Sequence, residues 1–154
     1  MRIALGAILF FLLAASASAA SHVSFQVHLT ASENDGEVFA QQVPSLTGKK
    51  VFVEKTAWIS EREVRAFYPY RSPDGASYGA LLLLDDHGRT VLDSLSLEHR
   101  GASLFIFVNG RVLTEMLIDK RVSDGTIYLA SGLTEADVKS MAKDWKLLAR
   151  KKKK

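Results

Sequence analysis

No cysteine occurs among the 154 residues. That excludes disulfides, thiolate zinc sites, cysteine nucleophiles and a lipid-modified N-terminal cysteine. It leaves the compartment open, since many exported domains lack disulfides. Glycines stand singly, so there is no phosphate-cradling loop, and no serine sits in a G-x-S-x-G setting. Asp119 and Asp124 flank a turn without the ligand spacing of a calcium loop. His22, His28 and His99 are scattered, and His28 falls on the polar side of an alternating stretch, where it is expected to be solvated. No repeat and no second domain is visible.

A basic body is also missing. The formal charge is +3, but six of the 20 basic residues are Arg2 and Arg150 to Lys154, which leaves 14 against 17 acidic ones. The body is therefore mildly acidic and the basic character belongs to a terminal cluster. This argues against a nucleic-acid-binding body.

What is present begins with a targeting pattern. Arg2, the apolar run Ile3 to Leu13 and the small-x-small triplet Ala17-Ser18-Ala19 predict a signal peptide over 1–20, too short in its apolar part to span a bilayer comfortably. A domain over 21–149 and a basic tail over 150–154 follow. Periplasmic or secreted localisation is expected.

The stretch Ser103 to Leu117, SLFIFVNGRVLTEML, organises the body. An apolar run, Asn109-Gly110 and a second run predict a hairpin, because Asn and Gly tolerate the positive φ of a type I′ turn. The absence of polar alternation from Leu104 to Val108 predicts a central strand covered on both faces, with helices on at least one. Strands are also predicted at Val23 to Thr30, Glu37 to Val43, Lys50 to Thr56, Tyr78 to Leu84 and Thr126 to Ala130. The Ser60/Glu63 and Thr134/Asp137 pairs read as capping boxes. The first predicts a short helix to about Phe67, stopped by Pro69. The second predicts a final helix with Val138, Met141, Trp145 and Leu148 as its apolar stripe. Asp85 or Asp86 is expected to cap a helix from about His87 to Leu95. The fold class is α+β: one small domain, a mixed or antiparallel sheet with a central hairpin, and two to three covering helices.

From Gly48 to Trp145 the order and residues resemble a known family. GKKVFVEKTAWISEREV precedes the strand ALLLLDDHG, which leads into a helix; Ser96 and Gly101 follow, then LFIFVNGRVL, SDGTIYLASG and LTEADVKSMA. This arrangement is similar to the head part of the first periplasmic domain of SecD, in the SecD/SecF export-accessory family. The resemblance implies a periplasmic α+β domain that contacts exported polypeptide or an envelope protein. Members of that family also carry transmembrane helices with ion-coupling residues. No counterpart follows the apolar N-terminal run here, so proton-driven export is not carried over, and no catalytic residue is transferred.

Three patterns invite a functional reading. Tyr68, Tyr70 and Tyr78 bracket a Pro-containing loop and are candidate protein-binding residues, against the plainer view that Phe67 and Tyr78 are core and the others cover it. Asp85-Asp86-His87 is the densest polar cluster and the alternative basis for a metal-assisted enzyme, but adjacent residues rarely converge on one ion and an aspartate there is explained as a cap. Lys151 to Lys154, with Arg150, could give weak contact with an anionic membrane surface, the basis of a further alternative as a peripheral membrane protein. The favoured expectation is an exported binding module that is not an enzyme and uses no metal or cofactor.

Overall fold

The computed structural model describes residues 22–148. The expected signal peptide and basic tail lie outside the described residues. Among the described residues, ten strands and three helices form one α+β domain around a main hydrophobic core.

The strands divide into two four-stranded sheets and a ribbon. The first sheet contains β1 (Phe25–Leu29), β4 (Ile59–Ser60), β7 (Ser103–Val108) and β8 (Arg111–Leu117), in the order β4-β1-β7-β8. The hairpin forms as expected, with Asn109 at φ 50° and Gly110 at φ 78°, both in the left-handed region. The second sheet contains β5 (Val64–Arg71), β6 (Tyr78–Leu84), β9 (Thr126–Leu133) and β10 (Lys146–Leu147), in the order β10-β5-β6-β9. Only β10 runs parallel to its neighbour.

Alternation decides what enters the core. Phe25, Val27 and Leu29 lie directly opposite Val108, Ile106 and Leu104, so six apolar side chains share one face. Phe67, Leu82 and Ile127 are in register across the second sheet and point into the same core. Helix α2 (Asp86–Glu98) adds Leu92 and Leu95, and α3 (Glu135–Asp144) adds Met141. Trp145 stands edge-on to Phe25 of the first sheet and Phe67 of the second, at 6.0 and 6.1 Å, and so ties the two sheets together.

The central strand β7 is covered on both faces, as its unbroken apolar run predicts. The cover on the outer face is a ribbon of β2 (Ala40–Pro44) and β3 (Lys50–Glu54), bridged to the first sheet through Thr30 and Val53. This overturns the expectation for His28. It is 3% exposed: its Nδ1 donates to the Glu54 carbonyl at 2.7 Å and its ring meets Phe107 edge-on. The polar face of β1 faces the ribbon, and alternation within β1 alone carries no sign of that lid.

Several predicted boundaries shift by a few residues, as where β9 runs on to Leu133 and α2 to Glu98. Three differences change what an element is or where it begins or ends. The Ser60/Glu63 box forms but caps only a single 3₁₀ turn at Glu61–Glu63, after which the chain extends into β5. Val64, Ala66 and Phe67 gain burial beside β6, which outweighs one local turn. Pro69 is tolerated inside β5 because it points the way Phe67 does, toward β10, and β10 has already ended at Leu147. A helical turn, α1 (Gly36–Phe39), precedes β2, so that strand starts at Ala40. The last helix stops at Asp144: Trp145 is extended (φ −121°, ψ 149°), and Leu148 donates its N–H to the Phe67 carbonyl.

Candidate functional site

The second sheet has an outer face as well as a core face. Tyr68 lies opposite Leu81 and Leu81 opposite Tyr128, so alternation puts all three on the side away from the core, with Leu83 and Tyr70 beside them. Tyr128 is 60% exposed, and Tyr68, Tyr70, Leu81 and Leu83 are half-buried.

Tyr70 is the fixed member. Its ring lies over Gly79 of β6, where a Cβ would come within 2.4 Å of the ring carbons. The missing side chain lets the ring reach across β6, and its hydroxyl donates to the Leu129 carbonyl of β9 at 2.5 Å. Burial raises the phenol far above its ordinary value, and the neighbouring Tyr128 adds to the shift. The rings of Tyr70 and Tyr128 stack at 5.7 Å and 15°. Tyr68 and Tyr128 thus flank a rigid platform. Aromatic side chains held this way present large contact area at small entropy cost.

The structure brings together two of the three tyrosines singled out from sequence. Tyr78 lies on the opposite face of β6, packed against the core, with the Arg71 guanidinium 4.7 Å from its ring centroid. Tyr128 joins the group although sequence reasoning missed it. The alternation Ile127-Tyr128-Leu129 was the available signal, but β9's neighbour was not deducible from β9.

Asp85 is the N-cap of α2, its Oδ1 accepting from the Gly88 N–H at 2.8 Å. Asp86 and His87 are exposed on the first turn. Among the described residues no three His, Asp or Glu side chains gather where a metal ion would sit. A second acidic residue, Asp137, is buried at 5% exposure. It accepts from Asn109 Nδ2 at 2.6 Å, from the Thr134 N–H and Oγ1 at 2.8 Å each, and from the Arg111 guanidinium. Burial alone would raise its carboxyl, yet these bonds hold it below the usual aspartate range. Every oxygen is used to tie the β7–β8 turn to α3, so this is a structural joint.

No helix among the described residues is long and apolar enough to cross a membrane. No protein-family model and no curated protein matches the sequence. Solved structures of similar fold include two of SecDF. One is described as a membrane component SecDF that enhances protein export; it aligns with a TM-score of 0.56 and 10% identity over 82% of this chain and 64% of that one. The other is SecDF in a super-membrane-facing form, with a TM-score of 0.56 and 10% identity over 80% of this chain and 19% of that one. The described residues therefore adopt a SecD-like fold.

Proposed function

We propose that this chain is an extracytoplasmic, non-catalytic module that binds polypeptide or an envelope protein through the tyrosine face of its second sheet. The carrying observation is the platform itself: Tyr70 locked over Gly79, with Tyr68 and Tyr128 beside it and partly open to solvent. Support comes from the likeness to SecDF, described as enhancing protein export. The targeting pattern at the N-terminus agrees with a periplasmic or secreted location.

Photo-crosslinking side chains placed at Tyr68, at Tyr128 and, as a control, at exposed Thr90 of α2 test the reading in living cells. Adducts with polypeptide at the first two positions and none at Thr90 are expected. Equal labelling at all three, or no protein adduct at any, would remove the proposal. Tyr68→Ala with Tyr128→Ala should weaken capture about tenfold, in line with the loss of two partly exposed aromatic contacts.

A further inference from the structure

Two strand edges face one another across the domain. Among the described residues β8 pairs only with β7, and β9 only with β6. The start of β8 meets the end of β9: Arg111 donates to the Gly132 carbonyl at 3.1 Å, and Gly132 lies against Leu113. The end of β8 and the start of β9 instead border a cavity of about 100 Å³. Its walls are chiefly Leu92, Leu104, Ile106, Met116, Val122 and Ile127. The connection from Ile118 to Gly125 is drawn aside onto α2, where the Val122 N–H donates to Ser96 Oγ at 2.8 Å and Arg121 grips Asp93 at 2.5 and 2.7 Å.

The backbone beside the cavity is unpaired on one side. Ile118 gives its N–H to Ala102 and its carbonyl accepts from Gly101, so Ile118 faces β7. Alternation turns the N–H and C=O of Leu117 and of Glu115 the other way. Among the described residues no strand receives them, and Leu117 is 62% exposed.

We infer that this opening takes an extended polypeptide segment as an added strand on β8, with one large apolar side chain seated in the cavity. The inference rests on the polypeptide-binding reading and adds to the tyrosine face a second contact, on the other sheet, whose ligand class is an extended segment carrying an isolated leucine-sized residue. Donors and acceptors at two-residue spacing complement another extended backbone, and nothing in a small apolar molecule answers them. The cavity is smaller than the roughly 150 Å³ that holds benzene in an engineered core, so it admits one branched side chain. Met116 on its wall is unbranched and flexible and adjusts to differing shapes.

The test uses a capped octapeptide of alternating threonine and valine with a central leucine, added to the purified chain. Amide hydrogen exchange is read residue by residue. The Glu115 and Leu117 amides should slow by about tenfold or more, leucine-to-alanine replacement in the peptide should weaken binding about tenfold, and N-methylation of the peptide amides on the β8 side should abolish it. Binding that protects neither amide and perturbs only Tyr68 and Tyr128 would overturn this inference and leave the polypeptide-binding reading standing. Binding unaffected by N-methylation would reduce the site to an apolar hole and also overturn it. No binding of any such peptide would overturn both.

Discussion

Asp137 shows how one carboxylate holds separate parts of the chain. Its bonds reach the hairpin turn through Asn109 and Arg111 and the start of α3 through Thr134. Asp137→Asn should cost about 2 kcal/mol in chemical denaturation, since charged acceptors of several bonds are replaced by a weaker and partly mismatched amide. The pH dependence has a definite sign. Because the folded carboxyl titrates below its unfolded value, its stabilisation is complete above the ordinary aspartate range and is lost as pH falls toward the folded value. The stability difference between parent and Asp137→Asn should therefore shrink from about pH 7 to about pH 3. Gly79 gives a second residue-scale prediction. Gly79→Ala drives a Cβ into the Tyr70 ring and the Leu129 carbonyl, and should cost about 2 kcal/mol. The Tyr70–Tyr128 stack should open, seen as a shifted tyrosine spectrum.

At the scale of elements, two similar start signals lead to different outcomes. Ser60/Glu63 and Thr134/Asp137 both form complete capping boxes. After the second come Ala136, Lys139, Met141 and Ala142, good helix formers, and a ten-residue helix follows. After the first come Val64, Phe67, Tyr68 and Tyr70, residues that fit a pleated surface, and a strand follows. The box was legible in both places; what it starts depends on the residues after it and on β6 waiting alongside. The cap of α2 stands alone, with Asp85 accepting from Gly88, so Asp85→Ala should lower stability by about 1 kcal/mol without changing the fold. Gly110→Ala, at φ 78°, should cost about 1 kcal/mol by straining the turn between β7 and β8.

The whole molecule is held by contacts between its two sheets. Trp145 lies past the end of α3, between Phe25 and Phe67, and donates its indole N–H to the Glu61 carbonyl at 3.2 Å. Trp145→Ala should cost about 4 kcal/mol, with both sheets melting in one transition when followed by two probes. Separate melting of the sheets would mean that they do not share a cooperative core. The apolar stripe Val138, Met141 and Trp145 could be read from spacing, although the chain stops being helical before Trp145 arrives. Tyr68 and Tyr70 could be read as candidates, whereas Tyr128 could not be placed beside them, since its row on the sheet is set by β6.

Sequence by itself determined the short-range features: the alternating strands, the Asn109-Gly110 turn, the two boxes, the Asp85 cap and the α+β class. These depend on backbone conformations and on partners within a few residues. Only the tertiary structure decided how strands were shared between two sheets, that a ribbon covers Phe105 and His28, that Tyr78 turns inward while Tyr128 completes the outer face, and that β8 and β9 part over a cavity. Those outcomes depend on burial summed over pairs of strands far apart in the chain, and no local window of residues carries that sum.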